Sequence, residues 1–283
     1  MLKELKKSHV KSLLPFRDPK SHKGQNGKVL IVGGSLEYYG APVLAGLAAL
    51  HSGADMVYLY VPEVIFDPVR SMYPDFIVKK YPGEFLTEKY AEKIIEFGKK
   101  CDSILIGPGI GDRERTKDAI IEIVKKLNIP TVLDADAINV LKKIDKFPLQ
   151  QDIVVTPHQN EFNNLVDREI QIDYKDSKSI VLLRSIAMDL HISILLKGYI
   201  DYVTSYEGHI LLNRTGNAGM TVGGSGDVLA GVVATMMAQG LEGYDAAKVA
   251  AYFTGKAGEL LLKQKGCNYK ASDLADALSY AIS

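Results

Sequence analysis

Cysteine is scarce in this chain: Cys101 and Cys267 are the only two among 283 residues. They lie far apart and form no CxxC, which excludes a disulfide framework or a cysteine zinc site and suits a reducing compartment. Tryptophan is absent, which excludes nothing by itself. There is no excess of charge of either sign, since Lys plus Arg and Asp plus Glu both number 34. That balance removes the electrostatic case for nucleic acid or an anionic membrane as main partner. Long apolar runs are also missing. The stretch Pro42–Leu50 is interrupted by His51 and is too short to span a bilayer. The N-terminus carries Lys3, Lys6, Lys7 and Lys11 and lacks the apolar core of a secretory signal. The expected location is the cytoplasm.

What is present is apolar material, 47% of the residues, enough for a sizeable core. Short β-branched runs alternate with longer helical patterns. The runs Val29–Val32, Met56–Val61, Ser103–Gly107, Thr131–Asp134, Asp152–Thr156 and Ile192–Lys197 read as strands. They are apolar throughout rather than alternating, as parallel strands covered on both faces are. Helices are expected over Pro42–Ser52, Glu88–Gly98, Arg115–Leu127 and Ile180–Leu190. This rhythm implies right-handed βαβ crossovers and an α/β fold with a central, mostly parallel sheet and helices on both faces. After Lys197 the rhythm changes: Asp201–Ser205 and His209–Leu212 flank Tyr206-Glu207-Gly208 as a β-hairpin. No linker or repeat divides the chain. One domain is expected over residues 1–283, with residues 1–22 a polar N-terminal extension.

The segment from Gly216 to Gly231 is the richest in chemical information. Its glycines lead straight into an apolar helix beginning near Ser225. Such a loop gathers backbone N–H groups at a helix N-terminus, where the dipole favours an anion, and glycine lets a phosphate approach without a Cβ in the way. Asp227 stands beside this anion hole and would repel phosphate, so another role fits it better: a base that takes a proton from an attacking hydroxyl. Its bland alternative is a first-turn acid that only stabilises the helix dipole. Two familiar phosphate signatures are missing. There is no G-x-x-x-x-G-K-[ST], and Gly107-Pro108-Gly109-Ile110-Gly111 is followed by Asp112 where a dinucleotide fingerprint requires glycine.

In open α/β sheets ligands sit beyond the carboxyl ends of the strands, and several polar residues fall there. Asp134 and Asp136, followed by Asn139, either help to hold metal or substrate or cap the next helix. Thr156-Pro157-His158-Gln159-Asn160-Glu161 ends the following strand. Glu161 is either a water-mediated Mg²⁺ contact or a solvated first-turn glutamate. His158 is either a substrate contact or a structural histidine. Lys197 either reaches a nucleotide phosphate or only caps its strand.

Taken in order, the motifs resemble the ADP/ATP-dependent NAD(P)H-hydrate dehydratases. They are Lys23-Gly24-Gln25-Asn26-Gly27-Lys28, Ile31-Val32-Gly33-Gly34-Ser35, Gly40-Ala41-Pro42, Gly107-Pro108-Gly109, Leu133-Asp134-Ala135-Asp136-Ala137, Thr156-Pro157-His158 with Glu161, Leu196-Lys197-Gly198 and the Gly216–Gly231 loop. Each is weak alone, but the ordered set is specific. The resemblance implies a ribokinase-like fold, Mg²⁺, and ADP or ATP as phosphoryl donor. It implies substrate contacts at Ala41, Gly109, His158 and Asp227. Nucleotide contacts would lie at Lys197, Gly198, Tyr199, Ile200 and Asp201 and at Gly223, Gly224, Ser225 and Gly226. Asp227 would be the base and Glu161 the metal contact. It further implies action on the S epimer of hydrated NADH or NADPH, either a separate epimerase or spontaneous epimerisation for the other epimer, and a homo-oligomer, tetrameric in many relatives. Gln159 stands where the family often has proline, and Ser225 where threonine is common.

Two rival readings share these motifs. A ribokinase-like kinase of a vitamin-precursor alcohol would use the same anion hole and base but leave a stable phosphorylated product. A non-catalytic nucleotide sensor would bind without turnover and would have little use for Asp227.

Overall fold

The computed structural model describes residues 2–282. Its frame is one sheet of ten strands: β1 (Lys3–Glu4), β2 (Lys28–Val32), β3 (Met56–Pro62), β4 (Ile77–Tyr81), β5 (Ser103–Ile106), β6 (Thr131–Leu133), β7 (Ile153–Val155), β8 (Ser193–Leu196), β9 (Asp201–Thr204) and β10 (Ile210–Asn213). Their spatial order is β1-β10-β9-β8-β7-β6-β5-β2-β3-β4. From β8 to β4 every neighbouring pair is parallel, whereas β9 runs antiparallel to both β8 and β10. The parallel strands are short and apolar on both sides because both faces are covered. In β2, Val29 and Ile31 enter one core and Leu30 and Val32 the other, all four fully buried.

One face is covered by α2 (Ala41–His51), α8 (Ser225–Ala238), α9 (Gly243–Lys265) and α10 (Ala271–Ile282). The other carries α4 (Glu88–Gly98), α5 (Glu114–Lys126), a 3₁₀-helical segment Ala135–Lys143, α6 (Gln159–Val166) and α7 (Ser177–Asp189). Short α1 (Lys7–Leu13) and α3 (Phe66–Met72), with 3₁₀ turns at Glu63–Ile65 and Ala218–Thr221, complete the helices among the described residues. The α2–α8 crossing is close. A Cβ built on Gly231 would lie 2.2 Å from the carbonyl oxygen of Ala45, so only glycine lets the two backbones meet there.

The six strands read from β-branched runs are all present, each within a residue or so of its expected ends. Two strands escaped that reading. Strand β4, with the sequence Ile-Val-Lys-Lys-Tyr, is an edge strand, and its two lysines mask the apolar signal while guarding the open edge. Strand β1 lies within the polar N-terminal segment and pairs with β10. Val10 of α1 is fully buried, so this segment is packed onto the body.

The chain leaves β2 toward one edge through β3 and β4, then returns to β5 on the other side of β2. The connections after β2 and β5 therefore diverge, and such a switch point opens a crevice at the carboxyl ends of the strands. Two glycine turns close its floor. The Gly34 N–H donates to the Pro108 carbonyl at 2.7 Å, and a Cβ on Gly33 would sit 2.3 Å from that same oxygen. Gly107, at φ +132°, would place a Cβ 1.8 Å from the Asp134 carbonyl oxygen.

Candidate active site

Four strand or helix ends converge on one ammonium group. Strand β8 delivers Lys197, whose Nζ lies 2.9 Å from Oδ1 of Asp134 at the end of β6. The same Oδ1 accepts the hydroxyl hydrogen of Thr156 at the end of β7, at 2.7 Å. Glu161 Oε2, from the first turn of α6, lies 3.9 Å from Nζ. A Cβ on Gly226, in the first turn of α8, would stand 3.1 Å from Nζ, so glycine there leaves room for the lysine head. The two readings left open for Asp134 are thus narrowed. It makes no cap hydrogen bond to the 3₁₀ segment; its carboxylate is spent on Thr156 and Lys197.

His158 and Glu161 form a reciprocal cap at the start of α6. His158 Nδ1 accepts from the N–H groups of Asn160 and Glu161, each at 3.1 Å, and Glu161 Oε2 accepts from the His158 N–H at 2.7 Å. Glu161 is therefore not a solvated first-turn glutamate, since its side chain is only 19% exposed. The His158 ring is half-exposed and lines the crevice, with its Nε2 3.4 Å from Oε1 of Glu161. Gln159 ties down the next loop: its amide donates to the Ile170 carbonyl and accepts from the Ile172 N–H.

The Gly-rich loop turns into α8 at Gly224, which adopts φ +95°. The Ser225 N–H donates to Val222 and the Val228 N–H to Gly224. Those of Gly226 and Asp227 belong to a first turn that has no preceding helical carbonyl. Ser225 Oγ donates to the Met220 carbonyl at 2.7 Å, so its hydroxyl is a loop brace rather than a nucleophile.

Three carboxylates, Asp134, Glu161 and Asp227, share the field of a single ammonium, Lys197. Asp134 holds it most tightly. Asp227 is left underneutralised: burial raises its pKa from an ordinary 3.8 to about 7, the charges of Asp134 and Glu161 push the same way, and Lys197 offsets them in part. Burial also raises the Glu161 carboxyl above the usual range, against the pull of Lys197. A carboxylate titrating near neutrality at the mouth of a helix N-terminus is equipped to accept a proton from a hydroxyl while the helix holds an anion.

A cavity of about 960 Å³ opens from this cluster. His158, Lys197, the Gly198–Asp201 turn and Gly223–Gly226 line one part of it. Tyr199 is almost fully exposed on its rim. Asp201 lines the cavity, but both its oxygens are engaged. Oδ1 accepts the Gly198 N–H at 3.0 Å and Oδ2 the Asn213 amide at 2.9 Å, while burial raises its pKa to about 6. It braces the turn.

Ala41 and Gly109 fall together at a second place. A Cβ on Gly109 would lie 3.1 Å from the Ala41 Cβ, beside the N-terminus of α2. Helix α2 links them to the base, since a Cβ on Gly224 would meet Leu44 Cδ1 at 2.4 Å and Asp227 Oδ2 at 3.8 Å. Asp227 therefore stands between two groups of residues, one lining the large cavity and one at the α2–Gly109 corner. The sequence reading gave no separate role to Thr156 or to Asn217 of the Gly-rich loop, and it passed over Thr254 in the cavity wall. A lone Thr inside a helical pattern carries no signal of its own.

Among the described residues there is no cluster of three or more His, Cys, Asp or Glu that would cage a metal ion. Mg²⁺ bound with nucleotide phosphates needs no such cage, since it keeps waters and takes one or two carboxylates. Glu161 fits that limited role through Oε1, which takes no backbone hydrogen bond and has only His158 Nε2 beside it, at 3.4 Å.

Comparison with known proteins points in one direction. The sequence profile of the family described as NAD(P)H-hydrate dehydratase matches residues 29–279. The ADP-dependent (S)-NAD(P)H-hydrate dehydratase of Nitrosopumilus maritimus is 36% identical over 281 residues, covering 98% of this chain and 96% of that protein. The bifunctional NAD(P)H-hydrate repair enzyme of Methanothermobacter thermautotrophicus is 40% identical over 269 residues, which are 94% of this chain and 51% of that one. The chain thus spans about half the length of the bifunctional relatives it matches. Among solved structures, the ADP/ATP-dependent NAD(P)H-hydrate dehydratase of Bacillus subtilis, crystallised with ATP and Mg²⁺, superposes with a TM-score of 0.84 at 26% identity, covering 99% of this chain and 97% of that one. The α/β architecture is the ribokinase-like one expected from the motifs.

Proposed function

Since the chain belongs to the NAD(P)H-hydrate dehydratase family, we propose that it regenerates NADH and NADPH from the S epimer of their hydrated forms, with ADP as phosphoryl donor. The observation that carries this reading is Asp227, a carboxylate of pKa about 7 in the first turn of α8, with Gly226 against the Lys197 ammonium.

Hydroxide leaves poorly, so the hydroxyl on C6 of the hydrated ring is first converted to a phosphate ester. Asp227 takes the hydroxyl proton as the oxygen attacks the terminal phosphorus of the nucleotide. The N–H groups of Gly226 and Asp227, with Lys197, stabilise the phosphoryl group in flight. AMP departs, the ring nitrogen then assists expulsion of phosphate from C6, and loss of a proton from C5 of the resulting iminium to water restores the C5=C6 double bond of the dihydronicotinamide. Lys197 is the phosphate cation of this scheme, and Asp134 with Thr156 holds it in place. The Gly198–Asp201 turn and the Gly223–Gly226 loop receive the nucleotide. Ala41, Gly109 and His158 face the substrate ring. Mg²⁺ would arrive with the phosphates, touching Glu161 through water and neutralising phosphate charge. Residues 2–282 act as one catalytic domain.

The test mixes purified protein with hydrated NADH, Mg²⁺ and either ADP or ATP, and follows the recovery of reduced-nicotinamide absorbance. Recovery that requires nucleotide and yields AMP and phosphate from ADP is the expected result. A stable phosphorylated alcohol instead identifies a vitamin-precursor kinase. Nucleotide binding without turnover identifies a sensor.

A further inference from the structure

Resting on the nucleotide-dependent reading above, we infer that Asn217 and Thr254 are the recognition groups for the nucleoside half of the bound nucleotide. Among the described residues five buried side-chain polar atoms have no hydrogen-bond partner: Tyr81 Oη, Ser193 Oγ, Thr204 Oγ1, Asn217 Nδ2 and Thr254 Oγ1. The last two, and only those, belong to residues that line the 960 Å³ cavity. A buried polar group left unpaired costs stability, so one carried by a residue of a cavity wall is best explained by a ligand that pairs with it when the cavity fills.

Each orphan is shaped by its surroundings. Thr254 is 1% exposed on α9. A threonine inside a helix ordinarily returns its hydroxyl to a carbonyl one turn back, as Thr235 on the neighbouring α8 does to Gly231 at 2.9 Å. Thr254 does not. In Asn217 the amide orientation is set by chemistry. Its Oδ1 accepts the Gly219 N–H at 2.9 Å, and a backbone N–H can only donate, so the free atom is the NH₂ donor. Tyr269 Oη adds a second hydrogen bond to the same oxygen at 2.9 Å. That NH₂ lies against α9, for a Cβ on Gly258, one turn beyond Thr254, would stand 3.2 Å from it.

The cavity supplies the orientation of its occupant. Its cationic and N–H-rich part, at Lys197 and Gly226, takes the phosphates. Met220, Val222, Leu229 and Ala251 line the cavity with Thr254, beside Arg214, Thr215 and Thr221, and this apolar surface with a few polar groups suits a flat heterocycle and its sugar. Purine ring nitrogens and ribose hydroxyls accept the hydrogen bond that Asn217 offers, and the Thr254 hydroxyl can donate or accept.

Isothermal titration with ADP and with inorganic pyrophosphate tests the assignment in Thr254→Val, Thr254→Ser and Asn217→Asp proteins. The Asp substitution keeps the acceptor for Gly219 and removes the donor. Thr254→Val should weaken ADP about 5- to 30-fold, leave pyrophosphate affinity unchanged, and leave the melting temperature of the free protein equal or higher, because an unpaired hydroxyl has gone. Thr254→Ser should restore ADP affinity, and Asn217→Asp should lose it to a similar extent. A loss in Asn217→Asp that disappears with 2′-deoxy-ADP places the donor on the ribose; one that persists places it on the base. ADP affinity unchanged in Thr254→Val and Asn217→Asp overturns the inference, and so does a Ser variant as weak as Val, since methyl packing would then be the cause. Failure of the unaltered protein to bind ADP at all would instead count against the nucleotide-dependent reaction.

Discussion

Asp227→Asn keeps the shape of the side chain and removes its charge, and two opposite effects follow from one cause. The native carboxyl is held at about 7 instead of 3.8. At 1.36 kcal/mol per pKa step, ionising it in the folded protein costs at most about 4 kcal/mol. The sign is set by which state keeps the proton. Between pH 3.8 and 7 the folded protein retains it and the unfolded chain has released it, so the contribution of Asp227 to stability falls as pH rises through that window. Above pH 7 the penalty is complete. Asparagine never pays it, so the variant should melt with the wild type near pH 4 and several degrees above it at pH 8, given roughly 2–4 °C per kcal/mol for a chain near this size. Turnover should fall by about 10²- to 10⁴-fold while ADP binding is kept. Wild-type kcat/KM should rise with pH through about 7 as the base ionises. Differential scanning calorimetry at pH 4.5, 6 and 8, with the absorbance assay on the same preparations, measures both effects. A melting difference independent of pH, or turnover within tenfold of wild type, would refute the role given to Asp227.

Other substitutions probe the supports of the site. Asp134→Ala strips Lys197 of its 2.9 Å partner and should cost about 3–5 kcal/mol in urea titration, with weaker pyrophosphate binding as the ammonium loses its position. Gly231→Ala should gain about 1 kcal/mol by helix propensity alone, yet its Cβ would meet Ala45 O at 2.2 Å, so chemical denaturation should show a net loss of about 2 kcal/mol or more. His158→Asn should keep α6 capped and the melting temperature unchanged while raising KM for the hydrated substrate, whereas His158→Ala should also lose about 1 kcal/mol of stability.

The parts of the site legible in the sequence were those whose chemistry is local. Gly223–Gly226 and Asp227 are contiguous, so a glycine turn entering a helix and the acid in its first turn could be read together. The parallel strands were legible because burial on both faces demands unbroken apolar runs. Strand β4 was not, because an edge strand has one neighbour and tolerates lysines. The competing readings of Asp134 and Glu161 could not be decided from spacing: capping and ion pairing use the same residue types. Only the meeting of β6, β7 and β8 at one edge shows that Asp134 is turned to Lys197, 63 positions along the chain.

By itself, then, the sequence determined the α/β class, the glycine-led start of α8 and the acid Asp227 in its first turn, since each depends on periodicity or on neighbours in the chain. Tertiary structure alone buried Asp227 beside Asp134 and Glu161 with one ammonium among the three, and that burial above all raises its pKa to about 7. It alone brought Ala41 against Gly109 and placed Thr254 in the cavity wall. The physical reason is that pKa values and unpaired hydrogen-bonding groups are properties of a surrounding field and packing. Those are created only when distant strand ends are brought together.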